Sequence, residues 1–174
     1  MIKEVNSLTH FDRLAKDWNK PENLMFWKMQ SCRQGRNFDP DSIEFNLRNQ
    51  LIHSLRHEGI IPYIKIWSYE IDGQNLAGCV FHANKNFMMN ENIFEEVLWQ
   101  MNGRFPKSYK HRKIMLELMN CAESYARKQK FKVISVSRDP ALHNFTREQN
   151  SGINNYYTRN NYEAASIKYY KTLN

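Results

Sequence analysis

A chain of 174 residues, 41% of them apolar and 13% aromatic, can bury a core and fits a single domain spanning residues 1–174. No apolar run approaches the roughly 18–20 residues that a bilayer-crossing helix needs, so membrane insertion is not expected. The formal net charge of +7 points to anionic partners: nucleotide phosphates, nucleic acid or a polyanionic substrate. Three cysteines, Cys32, Cys79 and Cys121, are scattered with no CxxC spacing. They read as free thiols of a reducing compartment rather than zinc ligands, and no metal is expected. Met1-Ile2-Lys3-Glu4-Val5 lacks the basic-then-apolar layout of a secretory signal, so the expected location is cytoplasmic.

Met1 to Asn6 alternates weakly, as a first strand would. From Thr9 the placing of Phe11, Leu14, Ala15 and Trp18 is helical, with Thr9 as N-cap and Pro21 as the stop. Leu24 to Met29 is apolar and reads either as buried core or, at Met25 to Met29, as one wall of an acceptor pocket. Asp39-Pro40-Asp41-Ser42 opens a second helix, whose Ile43, Leu47, Leu51, Ile52 and Leu55 share one face before Gly59 ends it.

Tyr63 to Ile71 is rich in β-formers, Asp72-Gly73-Gln74-Asn75 is turn chemistry, and Leu76 to Ala83 returns as the hairpin partner. Ile93 to Met101 reads as a third long strand, although Glu95, Glu96 and Leu98 also suit a helix. Asn102 to Pro106 breaks it. Ile114, Met115, Leu118, Met119, Ala122, Tyr125 and Ala126 then recur at helical spacing, with Lys113, Glu117, Asn120, Glu123 and Arg127 facing away. Lys132 to Val136 is β-branched enough for a short buried strand. A short helix carrying Ile153, Tyr156 and Tyr157 follows, and Ala164 to Leu173 closes the chain as a strand. The order β-α-α-β-β-β-α-β-α-β describes one α/β (α+β) fold, a mixed central sheet flanked by helices.

Two stretches carry a family likeness. Lys110-His111-Arg112-Lys113-Ile114-Met115, running on to Ala122-Glu123-Ser124-Tyr125-Ala126-Arg127-Lys128, is similar to a phosphate loop Gln/Arg-x-x-Gly-x-Gly/Ala and the amphipathic helix after it. Asn150 to Tyr162 is similar to Asn-x-x-Ala-x-x-Phe-Tyr-x-x-x-Gly-Phe. Asn150 takes the Asn position, Tyr156-Tyr157 the Phe-Tyr pair and Asn161-Tyr162 the Gly-Phe pair. With the element order, these stretches resemble the GNAT superfamily of acyl-CoA-dependent N-acyltransferases. The chain departs from that pattern at both glycines of the phosphate loop, which are Lys113 and Met115. A Cβ there narrows the approach of backbone amides to a diphosphate, and the cationic run Lys110 to Lys113 offsets this with side-chain charge.

The resemblance implies acetyl-CoA as co-substrate and acetyl transfer to an amine. The acceptor is a small molecule or a macromolecule, and a basic chain suits one that is anionic. Cofactor contacts are implied for Lys110, His111, Arg112, Lys113, Ile114 and Met115. A backbone N–H around Trp99 to Met101 is implied on the thioester carbonyl. Asn150 is implied on the pantetheine or pyrophosphate arm, a position that helix capping explains equally well. Tyr157 is implied as general acid toward the leaving sulfur, or else packs in an aromatic core as Tyr156 does.

Amide formation also needs a base for the amine, and Glu95 and Glu96 on the third strand are the candidates. Alternation sends them to opposite faces, so at most one reaches a cleft. His53 and His57 lie one helical turn apart with no third ligand at a recognisable spacing. The competing readings are a catalytically inactive GNAT-fold module that binds protein or nucleic acid, and a plain nucleic-acid binder. The second lacks a basic stripe interleaved with aromatics. Size and paired strands permit a homodimer.

Overall fold

The computed structural model describes residues 1–20, 39–86, 90–101, 109–136 and 157–162, with the backbone alone at 40, 99–101 and 109–112. Along the chain run β1 (Ile2–Glu4), α1 (Leu8–Trp18), α2 (Pro40–Arg56), β2 (Tyr63–Ile71), β3 (Gln74–Asn86), β4 (Glu91–Met101), α3 (Tyr109–Lys128) and β5 (Val133–Ser135). Among the described residues this matches the expected order through β5. A helical turn at 157–159 follows. The expected last strand, Ala164 to Leu173, and the apolar segment Met25 to Met29 lie outside the described residues. None of the helices among the described residues is long and apolar enough to cross a membrane.

The chain divides into two compact units, Met1–Phe26 with Asp39–Ser137, and Trp27–Phe38 with Arg138–Asn174. The first holds a five-stranded sheet in the order β1-β2-β3-β4-β5. Neighbours are antiparallel except β4 and β5, which run parallel. A parallel pair cannot be closed by a hairpin, and α3 supplies the crossover.

Strand alternation gives the sheet two apolar faces. On one, Ile64, Ile66, Val80 and Leu98 pack with Val5 and with Phe11, Leu14, Ala15 and Trp18 of α1 and Leu47 and Leu51 of α2. Trp18 lies so close to the sheet that a Cβ at Gly78 would come within 3.5 Å of its ring and 3.2 Å of the Trp67 carbonyl oxygen. The other face is aromatic and carries α3. Trp67 meets Phe81, Phe94 and Tyr125 edge-on at 6.2, 6.1 and 5.7 Å, and Phe81 stacks on Phe94 at 5.0 Å. The Tyr125 hydroxyl donates to that of Tyr63 at 2.9 Å, and burial is the main cause that pushes its phenol far above the ordinary range. Lys130 closes α3 in the left-handed region (φ 59°), with Phe131 N–H donating to Ala126 C=O at 3.0 Å. That bond turns Phe131 back against Phe94, 5.2 Å away.

Three local expectations are corrected. The N-cap of α1 is Ser7, not Thr9: Ser7 Oγ accepts from His10 N–H, and Thr9 is already helical. The hairpin turn is only Asp72-Gly73, both with positive φ (49° and 77°), so β3 begins at Gln74 and runs on to Asn86. Two left-handed residues match the strand twist better than a longer loop does. On α2 the buried stripe is narrower than five residues, since Ile43 and Leu55 are exposed while Leu47 and Leu51 are buried. Ser54 joins that stripe because its hydroxyl donates to Gln50 C=O and accepts from Ile64 N–H at 2.8 Å.

A polar knot ties α1 to the sheet. The Glu70 carboxylate, 4% exposed on β2, accepts from Lys3 Nζ at 2.8 Å, Arg13 Nη2 at 2.9 Å and Ser68 Oγ at 3.1 Å. His10 Nε2 lies 2.7 Å from it. Burial alone would push this carboxyl up. The bonds from Lys3, His10 and Ser68 and the charge of Arg13 outweigh that and hold it at about 2, against an ordinary 4.5. Because the folded value is the lower one, the stabilisation is complete above pH 4.5 and is lost as pH falls from 4.5 to about 2. Glu70→Gln should therefore lower the unfolding free energy near neutrality, by roughly 2–3 kcal/mol at most given the half-exposed partners. It should also flatten the acid limb of stability in urea titrations run from pH 6 to pH 2. An unchanged acid limb would show that the knot carries none of it.

Candidate functional site

The pairing of β4 changes along its length. Its Ile93, Phe94 and Glu95 face Val133, Ile134 and Ser135 of β5, and among the described residues no strand pairs with that edge beyond Glu95. On the other edge β3 continues to Met101, but the register slips: Val80 faces Leu98 while Phe81 faces Glu96. Val97 is thus an extra residue, a bulge, and it stands exposed. Bulges increase strand twist and disturb the ladder. Among the described residues the β4–β5 pairing ends two residues before this bulge, and we term this point the fork.

The two candidate bases flank this point. Glu95 faces His82 and Glu96 faces Phe81 on β3, so they do lie on opposite faces. Glu96 is on the aromatic face under α3. There burial drives the Cys79 thiol well above its ordinary value, and the Glu96 charge adds to the effect. Glu95 is on the face of α1 and α2. His82 is half-buried beside it; burial pushes the imidazole below its usual value, with Glu95 pulling the other way. Ser135, also half-buried, adjoins Glu95 on the β5 side.

After β4 the chain returns as α3, which begins at Tyr109, earlier than the apolar periodicity from Ile114 suggests. Lys110, His111 and Arg112 therefore stand in its first turn; the amides of Lys110 and His111 have no intrahelical acceptor, that of Arg112 is the first of the ladder, and no acidic residue occupies the turn. Lys113, Ile114 and Met115 come next, with their amides inside the helical ladder. Lys113 is exposed, Ile114 is buried in the core and Met115 is half-buried. The free amides thus belong to the first turn rather than to the two positions aligned with glycine. Trp99 and Met101 end β4, and their backbone lies on the strand beyond the fork. Asn150 lies outside the described residues. So does the loop before Tyr109.

In the second unit, Tyr157 lies in a helical turn, 157–159, that stops sharply. Tyr162 N–H donates to Tyr157 C=O at 2.9 Å and Asn161 N–H to Thr158 C=O at 3.2 Å, with Asn161 in the left-handed region (φ 62°). This is a Schellman stop, and its usual apolar contact is the Tyr157–Tyr162 ring pair, edge-on at 5.2 Å. Asn161 occupies the conformation that glycine favours, and asparagine is the side chain that best tolerates it.

Comparison of the whole structure with solved ones gives consistent matches. An aminoglycoside acetyltransferase from an uncultured soil metagenomic sample superposes with a TM-score of 0.63 at 14% identity, over 100% of this chain and 96% of that one. An aminoglycoside N-acetyltransferase in complex with CoA gives 0.62 at 9% identity, over 99% and 93%. A GNAT family acetyltransferase of Staphylococcus aureus gives 0.56 at 11% identity, over 99% and 98%. The fold is that of the GNAT acetyltransferases. No protein-family model matches the sequence, and no curated protein matches it by sequence.

Within this GNAT fold, the described residues singled out from the sequence fall in four places: Glu95 and Glu96 beside the fork, Trp99 and Met101 at the end of β4, Lys110 to Met115 on the first two turns of α3, and Tyr157 in the second unit. His82 and Ser135 were missed. Only strand register brings them to Glu95, and no local motif marks them. Among the described residues no group of three or more His, Cys, Asp and Glu could hold a metal ion. Asn161→Gly should stabilise the protein by about 0.5 kcal/mol and Asn161→Ala should destabilise it by about 1 kcal/mol. Urea unfolding reads both. An alanine variant as stable as the parent would remove the left-handed constraint from this turn.

Proposed function

We propose that this protein is an N-acetyltransferase that uses acetyl-CoA and an amine acceptor, with residues 1–174 acting as one domain. The observation that carries the reading is the fork itself: a bulged β4 whose pairing with β5 ends at Glu95 among the described residues, followed by a helix with a cationic, acid-free first turn. Full-length similarity to acetyltransferase structures supports it, one of them an aminoglycoside enzyme in complex with CoA.

The residues present suit such a co-substrate. The first-turn amides of α3, with the charges of Lys110, His111, Arg112 and Lys113, provide donors for a diphosphate. The strand edge near Trp99 and Met101 provides a backbone N–H for a carbonyl oxygen. Acetyl-CoA, when bound, supplies a thioester that an amine can attack. Of the two candidate carboxylates, Glu95 is favoured over Glu96 as the one that assists proton removal from that amine, because Glu96 shares its face with the aromatic core and α3. Tyr157 is assigned as proton donor to the sulfur, and Asn150 as a polar contact along the cofactor arm.

Acetyl-CoA at a hundredfold excess over its Kd should stabilise the protein by about 2.7 kcal/mol, or roughly 5–10 °C in Tm. A Tm that stays fixed up to millimolar acetyl-CoA would favour the non-catalytic binding module. Once a screen of amines scored by CoA thiol release has supplied an acceptor, Tyr157→Phe should lower kcat about 10²-fold and leave acetyl-CoA affinity unchanged. Turnover equal to that of the parent would take Tyr157 out of the acid role.

A further inference from the structure

Register places four residues in one row across the sheet: Ile64 on β2, His82 on β3, Glu95 on β4 and Ser135 on β5. Directly paired residues on neighbouring strands point to the same face, with Cβ atoms about 5 Å apart. Ile64 is buried in the α1 and α2 core, whereas His82, Glu95 and Ser135 are half-buried. A polar triplet therefore lies where the apolar face ends, on the last rung before β4 and β5 part. We propose that this triplet is the amine subsite and that His82 is the group that takes the proton of the acceptor's ammonium, with Glu95 beside it. The proposal deepens the acetyltransferase reading and rests on it.

The chemistry of the row fits a primary ammonium. That group has three N–H donors and no acceptor, and the row offers three acceptors: a carboxylate, a ring nitrogen and a hydroxyl. A protonated imidazole would repel the ammonium, so His82 must be neutral to serve. Its partial burial favours that state. On transfer, one N–H bond of the ammonium breaks and its electron pair stays on nitrogen as the nucleophilic lone pair. The proton joins the ring-nitrogen lone pair of His82. Glu95 stays ionised throughout and stabilises the imidazolium that forms. A carboxylate alone has an ordinary pKa near 4.3 and is a weak base for an amine; an imidazole beside a carboxylate is better matched to neutral pH. Among the described charged groups, Glu95 is the one whose field acts on His82. From α2, the same face receives Leu47, Leu51 and the Ser54 hydroxyl bonded to Ile64 N–H.

The test follows the His82 ring by NMR, with His82→Gln giving the assignment and CoA in place of acetyl-CoA preventing turnover. n-Butylammonium should shift the ring nitrogen signals saturably, and tetramethylammonium, which has no N–H, should not. Glu95→Gln should weaken n-butylammonium about tenfold, as loss of a charged hydrogen bond does, and should lower the His82 titration midpoint. Ser135→Ala should weaken it less. An n-butylammonium response no larger than that of tetramethylammonium overturns the subsite, and so does a Glu95→Gln variant in which affinity and midpoint are both unmoved. CoA binding is scored separately by thermal shift. If CoA fails to bind while n-butylammonium still engages His82, the acetyl-transfer reading falls and the amine site stands.

Discussion

The site depends on β4 being unable to serve both neighbours for its whole length. On one edge it is antiparallel to β3 from Asn86–Glu91 to Ala77–Met101; on the other it runs parallel to β5 for three residue pairs. Val97 adds one residue to β4 without adding one to β3, a bulge two residues past the last β4–β5 pair. Among the described residues no strand pairs with this edge of β4 beyond Glu95, and backbone groups on such an edge take hydrogen bonds from water or from a ligand. A ligand with its own amide and carbonyl groups can supply such partners.

Both cores reinforce this layout. Phe94 lies one residue before Glu95 and is fully buried against Phe81, Tyr125 and Phe131, so the paired end of β4 is held by aromatic packing. Leu98 lies one residue after the bulge and packs on the opposite core. The bulge is thus pinned from both sides, with an anchor on each face.

Much of the fold was legible because local signals agreed with one another. β2 and the Asp72-Gly73 turn combine β-branched residues with a left-handed pair, and α3 has a long apolar stripe. The strand choice for β4 over a helix was decided by pairing with β3, which no local propensity reveals. Period-two alternation placed Glu95 and Glu96 on opposite faces correctly, since the bulge comes after both. Which one faces which core was not legible, nor were His82 and Ser135, because these depend on register between segments distant in sequence. Thr9 misled for a related reason: Ser7 and Thr9 are both capping types, and only the packing of Leu8 and Phe11 selects the earlier start. The stop at Asn161 was legible in outline, because asparagine substitutes for glycine where the backbone turns left-handed.

The knot around Glu70 is lopsided in a way that matters for sequence drift. One sequestered anion is shared among Lys3, Arg13, His10 and Ser68. Loss of any single donor leaves the others to hold the carboxylate, so those positions can vary one at a time. Loss of the anion instead strands several donors around an empty centre. Substitutions should therefore accumulate first at the periphery of this cluster and last at its hub, and the N-terminal strand and first helix can wander in composition while remaining fastened to the same spot on the sheet.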